Sequence, residues 1–171
     1  MNKKIINVPN SITLLRLISI PFFIMLYVNG NIKLSLILLV LMVLSDKLDG
    51  FSAKFMKQNT KFGGGFDSFT DYVMIISVLV MFMLVGRIQI YWIIVLLFPT
   101  LIIAFIKILY GRKRKKFPVT IFAKLTVGFI YLVLISILIG FSFVGLMMAI
   151  MVVMSYISMV IYIARFVKKD F

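Results

Sequence analysis

The 26 residues from Asp46 to Asp71, DKLDGFSAKFMKQNTKFGGGFDSFTD, decide how this chain is organised. They contain four of its five acidic residues, whereas 63% of the whole sequence is hydrophobic. A carboxylate inside a membrane span costs about 3 kcal/mol or more unless it is paired or coordinated, and is therefore a functional-site hypothesis by default. The stretch predicts a polar site at the ends of two membrane-spanning helices.

The apolar segments around this stretch predict six transmembrane helices. A span needs about 20 apolar residues, so six of them use nearly all of the 171 residues. We predict an all-α polytopic membrane protein in which residues 1–171 form a single domain. Asn10 and Ser11 are the predicted N-cap of the first helix, and Gly63 to Gly65 a tight reversal before the third. The predicted spans are Ile12–Val28, Ile32–Met56, Phe66–Val85, Ile88–Tyr110, Pro118–Gly140 and Val144–Val167.

The basic residues predict the orientation of these spans and the kind of ligand. The net charge is +14, and the cations flank the membrane segments, which favours anionic headgroups and phosphorylated ligands over nucleic acid. Only Lys33 and Arg87 fall on one side of the six-span arrangement. The positive-inside rule then places both termini and the aspartates at the cytoplasmic face of the cell membrane. The cytoplasmic cations are Lys3, Lys4, Lys54, Lys57, Lys61, Arg112 to Lys116, Arg165, Lys168 and Lys169.

Cysteine and histidine are both absent from the sequence. This excludes disulfides, thiolate metal sites and cysteine nucleophiles, together with the usual general base near neutral pH. Acid–base or metal chemistry must therefore use aspartate, lysine, tyrosine or backbone groups.

The spacing of the four aspartates predicts a metal site. Asp46 and Asp49 are three residues apart at the end of the second helix, and Asp67 and Asp71 are four apart at the start of the third, so each pair shares a helix face. A short connection makes the two helices antiparallel neighbours, which brings the pairs together. Carboxylate ligands suit Mg²⁺ or Mn²⁺, and four of them suit two ions of the kind that act in phosphoryl transfer.

This pattern resembles the signature of the CDP-alcohol phosphotransferase family, D-x2-D-G-x2-A-R-x8-G-x3-D-x3-D. Gly50, Ala53 and Gly63 fit it as well as the aspartates do, and Lys54 replaces the arginine. The segment from Asn7 to Arg16 also looks like the start of the phosphatidylglycerophosphate synthases in that family. The resemblance implies a homodimer of six-helix subunits among membrane lipids that transfers a phosphatidyl group from CDP-diacylglycerol to an alcohol and releases CMP.

The resemblance also implies roles for individual residues. Asp46, Asp49 and Asp67 would bind one metal ion, and Asp49, Asp67 and Asp71 a second. Asp71 would in addition take the proton of the acceptor alcohol. Gly50, Ala53, Lys54 and Gly63 would lie along the nucleotide.

Several polar residues outside the signature have two interpretations each. Arg16 is either a contact for a nucleotide phosphate or a side chain that reaches the headgroups. Asn10 and Thr13 share its helix face approximately and are weaker candidates for nucleotide contact. The phosphate of an acceptor such as glycerol 3-phosphate is expected to meet basic residues at the inner ends of helices four and five and in the loop between them: Lys124, Lys107, Arg112 and Arg114. For Arg112 and Arg114 the alternative is a simple positive-inside loop.

Two alternatives to this function remain open from the sequence. One keeps the family but changes the substrate: inositol phosphate or serine as the acceptor, or an archaeal CDP-lipid as the donor. The other is a divalent-cation transporter, because carboxylates also line ion paths. Transport favours carboxylates distributed through the membrane depth, whereas here they cluster at one end.

Overall fold

The computed structural model describes residues 7–55, 61–111 and 121–168. Within these ranges it leaves undescribed the side chains of residues 47, 49–55, 61–62, 107–108, 110–111 and 168. The described residues form six α-helices and contain no strand, which confirms the all-α prediction. The helices are α1 (Val8–Val28), α2 (Ile32–Phe55), α3 (Lys61–Leu84), α4 (Ile90–Gly111), α5 (Ile121–Ile139) and α6 (Val144–Lys168).

Four of these helices are long and apolar enough to cross a membrane: those covering Val8–Val28, Gly63–Leu84, Ile121–Ile139 and Val144–Val167. A shorter apolar helix covers Ile90–Ile106. The chain is therefore a multi-pass membrane protein. The six-span topology, its orientation and the single domain stay predictions.

The start of α1 differs from the prediction, which placed the N-cap at Asn10 and Ser11. The cap is Asn7, whose side-chain Oδ1 accepts a hydrogen bond from the backbone N–H of Asn10 at 3.0 Å. Pro9 lies in the first turn, where a missing N–H leaves no intrahelical hydrogen bond unmade. The cap prediction was wrong because two asparagines flank this proline, and the earlier one captures the free amides.

The start of α3 also differs from the prediction. Gly63 to Gly65 are helical, so the predicted tight reversal is wrong at these positions. The glycines with positive φ lie elsewhere among the described residues, at Gly30, Gly86 and Gly140, each just after a helix ends. There a left-handed residue terminates a helix without the steric penalty of a Cβ atom.

The chain divides into two compact units, residues 1–85 and 86–171. In the first, α1 packs against both α2 and α3. The buried side chains of α1 recur mostly every three or four residues, and the polar ones among them lie nearer its N-terminus. The buried residues of α1 are Pro9, Asn10, Thr13, Arg16, Ile20, Phe23 and Tyr27.

In the second unit, α6 packs against both α4 and α5. The buried hydroxyls of Thr126 and Ser158 lie 3.1 Å apart and join α5 to α6. Most of the surrounding core is aliphatic, including Leu134, Ile137 and Met148.

We expect Phe82→Ala to destabilise the first unit. The ring is fully buried and meets Tyr27 edge-on with centroids 5.4 Å apart. Such a deletion costs about 3–5 kcal/mol in a soluble core, but a bilayer also solvates the apolar ring, so about 2 kcal/mol is expected from lost packing. Thermal unfolding in detergent measures it, with Leu84→Ala, 76% exposed on the same helix, as the control. An equal effect of both variants would contradict this packing.

Candidate metal centre

Three aspartates of the predicted set, one from α2 and two from α3, converge. One carboxylate oxygen from each of Asp46, Asp67 and Asp71 lies within 4.8 Å of the other two. The i,i+4 spacing on α3 puts Asp67 and Asp71 on one face, and α2 supplies Asp46. The side chains are 25%, 35% and 26% exposed, respectively, so the cluster is accessible from outside.

A guanidinium lies among these carboxylates. Nη1 of Arg16 is 2.7 Å from Oδ1 of Asp71 and 3.3 Å from Oδ1 of Asp67, and donates a hydrogen bond to each. It is also 3.6 Å from Oδ1 of Asp46. The Arg16 side chain is fully buried, so it does not extend to the headgroups. Its buried charge is compensated by three partly exposed carboxylates.

Ser45 holds the other side of this arginine. Nε of Arg16 donates a hydrogen bond to the Ser45 hydroxyl oxygen at 3.0 Å, and that hydroxyl donates to the Met42 carbonyl at 2.7 Å. The pair fixes the guanidinium between α1 and α2. Sequence reasoning missed this role of Ser45, because a serine at the end of an apolar run carries no signal of its own.

The remaining polar residues on the buried side of α1 lie where the helical repeat predicts. Asn10 and Thr13 are 8% and 2% exposed and share the face of Arg16. Asn10 donates its backbone N–H to the cap, and the Thr13 hydroxyl donates to the Pro9 carbonyl at 3.1 Å. Their nucleotide contact stays a prediction.

On α3, Thr70 lies between the two aspartates in sequence and is fully buried. Its hydroxyl has no hydrogen-bond partner among the described residues. Sequence reasoning did not single it out, since threonine is common in membrane helices.

Gly64 and Gly65 present an open surface beside the cluster. A Cβ atom added to either would meet no atom within 4 Å apart from its own helix and immediate neighbours. No neighbouring side chain therefore requires glycine at these positions. Gly63, the predicted nucleotide contact, lies in the same first turns of α3 and is partly buried.

The other predicted site residues, Lys124 apart, have side chains outside the described part of the chain. Asp49, Gly50, Ala53 and Lys54 belong to α2, and Lys107 to α4, but their side chains lie outside the description; Arg112 and Arg114 lie outside the described residues altogether. Lys124 is an exposed residue of α5, in the second unit. The roles of all eight stay predictions.

The donor set fits a hard divalent cation. Three carboxylate oxygens within a sphere of a few ångströms are ligands that Mg²⁺ and Mn²⁺ prefer, and the cluster already attracts a cationic group. A set of carboxylates that gathers around a guanidinium has the negative charge to hold a divalent ion.

Several known proteins with similar sequences share one name. A protein of Wigglesworthia glossinidia brevipalpis, called CDP-diacylglycerol–glycerol-3-phosphate 3-phosphatidyltransferase, is 31% identical over 114 residues, which are 64% of this chain and 59% of that protein. Proteins of the same name from Haemophilus influenzae and Aquifex aeolicus are 32% identical over 78 residues and 39% over 67, covering 44% and 39% of this chain. The alignments span between 38% and 59% of the lengths of these three relatives.

The broadest match comes from a family model. The model of the CDP-alcohol phosphatidyltransferases matches residues 6–164, a range that contains Arg16, the three clustered aspartates and at least part of every helix. Because this match covers most of the sequence as well as the cluster, the chain belongs to the CDP-alcohol phosphatidyltransferase family.

Proposed function

We propose that this protein is a phosphatidyltransferase of phospholipid synthesis that moves the phosphatidyl group of CDP-diacylglycerol to glycerol 3-phosphate and releases CMP. The carrying observation is the convergence of Asp46, Asp67 and Asp71 within the family signature. The name shared by the similar bacterial proteins supports the donor and the acceptor.

The metal site of this proposal consists of Asp46, Asp49, Asp67 and Asp71. Two Mg²⁺ or Mn²⁺ ions bound there would neutralise the diphosphate and stabilise the charge on the leaving phosphate. The partial exposure of the three described carboxylates supports access for ions and for an anionic substrate.

In the proposed reaction Asp71 is both ligand and base. A carboxylate oxygen of Asp71 accepts the proton of the acceptor hydroxyl as the hydroxyl oxygen forms its bond to the β-phosphorus. The bond from that phosphorus to the bridging oxygen breaks, and CMP leaves with the electron pair. A positioned carboxylate within hydrogen-bond reach of the hydroxyl is what general base catalysis requires.

The nucleotide is proposed to lie along Gly50, Ala53, Lys54 and Gly63, with Asn10, Thr13 and Arg16 as further contacts from α1. The open surface at Gly64 and Gly65 supports a close approach of a ligand to α3. Lys54 keeps the positive charge of the family arginine but not its bidentate geometry. Lys124, Lys107, Arg112 and Arg114 are proposed for the acceptor phosphate, in a homodimer whose active sites face the cytoplasm.

CMP release tests this function. Purified protein in detergent with CDP-diacylglycerol and Mn²⁺ is expected to release CMP with glycerol 3-phosphate, and to release little with serine, inositol phosphate or no acceptor. Omitting the metal or adding EDTA is expected to stop release, because the diphosphate charge would be left uncompensated.

The other outcomes of the CMP-release assay distinguish the alternative functions. Preference for a different alcohol would keep the phosphatidyltransferase and replace the acceptor. Absence of CMP with every acceptor and donor, together with metal flux into proteoliposomes, would refute the enzyme and favour a cation transporter.

A further inference from the structure

Arg16 holds an unusual position for a basic residue of a membrane helix. Its side chain is fully buried, yet Nη1 lies 2.7, 3.3 and 3.6 Å from oxygens of Asp71, Asp67 and Asp46. The guanidinium therefore places a positive charge where the three carboxylates converge, which is also where divalent ions of the proposed function would bind.

The charges of the cluster do not favour the Arg16 guanidinium and a divalent metal ion at the same oxygens. One guanidinium against three carboxylates leaves a formal charge of −2 on these described groups. Without metal, Arg16 relieves the mutual repulsion of the carboxylates. A divalent ion at the same oxygens relieves it more strongly, and like charges a few ångströms apart in a partly desolvated site repel.

We propose that Arg16 is the built-in counter-ion of the metal site: it holds Asp46, Asp67 and Asp71 together while no divalent ion is bound, and metal binding displaces its Nη1 from their oxygens. This inference rests on the metal site of the proposed function. Nη1 leaves the carboxylates by rotation of the planar guanidinium about Nε, the atom that the Ser45 hydroxyl holds. Arg16 is thus a positioning residue of the metal-free site.

The opposite role is a permanent salt bridge that orients the ligands whether or not metal is present. The two roles predict opposite signs for metal affinity. Removing a competing cation tightens metal binding, whereas removing a permanent support loosens it.

Arg16→Gln in the purified full chain tests the proposal. The dissociation constant for Mn²⁺, measured from the electron paramagnetic resonance signal of the free ion, is expected to fall by at least about fivefold, the lower range of coupling between two sites. The midpoint of thermal unfolding in EDTA is expected to fall, because the carboxylates lose their only described counter-charge from α1. The stabilisation gained on adding Mn²⁺ is expected to exceed that of the wild type.

The matched control is Arg87→Gln, the same substitution at an exposed arginine of the second unit. It is expected to leave Mn²⁺ affinity unchanged. Unchanged or weaker Mn²⁺ binding by folded Arg16→Gln would overturn the proposal and assign Arg16 a permanent structural role.

A variant that keeps the charge covers the case in which Arg16→Gln does not fold. Arg16→Lys retains a cation but loses the planar fork that reaches several carboxylates, so it competes less well with metal. A smaller but measurable fall in the Mn²⁺ dissociation constant supports the proposal, and an unchanged or higher value overturns it.

These measurements separate the inference from the proposed enzyme activity. Mn²⁺ binding is measured without lipid substrate. If Arg16→Gln binds Mn²⁺ more tightly but the wild-type protein releases no CMP, the proposed function alone is refuted. If the wild type releases CMP but Arg16→Gln has unchanged Mn²⁺ affinity, the inference alone is refuted.

Discussion

Asp71→Asn is expected to lower the rate of CMP release by about 10²- to 10⁴-fold, the range lost when a positioned general base is removed. The asparagine oxygen can still accept the hydrogen bond that Arg16 now donates to Asp71 at 2.7 Å. The variant should therefore fold, but its amide cannot take the proton of the acceptor hydroxyl. CMP release under single-turnover conditions measures the rate, and equilibrium binding of CDP is expected to be largely retained.

The control for this variant is Asp170→Asn, the same chemical change at the acidic residue outside the signature. It is expected to leave both the rate and CDP binding unchanged. Loss of CDP binding by Asp71→Asn, in place of a loss of rate, would show that Asp71 is a structural metal ligand and not the base.

Asp67→Ala is expected to abolish metal binding and CMP release together. Asp67 is proposed to ligate both ions, and its carboxylate is the most exposed of the three at 35%. Loss of an outer-shell partner already lowers metal affinity by about 10- to 100-fold, so loss of a shared ligand should weaken Mn²⁺ binding by about 100-fold or more. A titration of Mn²⁺ followed by electron paramagnetic resonance measures this directly.

Ser68→Ala is the neighbouring control, since Ser68 is exposed and its hydroxyl donates to the Gly64 carbonyl within α3. It should keep both metal affinity and rate. Wild-type Mn²⁺ affinity in Asp67→Ala would mean that the metal site lies elsewhere. Together, the two aspartate variants distinguish a residue that binds and reacts from one that only binds.

The helices themselves were predictable, because each rests on a long local pattern of apolar residues. The residues at which the helices begin were harder to predict. The choice between Asn7 and Asn10 as the cap of α1 depends on which side chain reaches the free amides, and only Val8 and Pro9 separate the two. The three glycines before Asp67 suggest a loop by composition alone, yet α3 runs through them from Lys61.

The candidate site was likewise predictable only in part. Spacing of three and four residues predicts that each aspartate pair shares a helix face, and the structure brings together carboxylates of Asp46, Asp67 and Asp71. The sequence also predicts that Asn10, Thr13 and Arg16 share one face of α1, and all three are buried. It offered no reason to pair Arg16 with the aspartates, which follow it by 30 to 55 positions.

The sequence by itself determined the helix-face spacing of the aspartates that form the carboxylate cluster, since helical periodicity is a local property of the residues from Asp46 to Asp71. Only the tertiary structure decided which charge compensates that cluster. Arg16 reaches it because α1 packs against both helices and buries the face that carries the guanidinium. Such packing depends on side chains from three helices at once, and no periodicity within one helix encodes it.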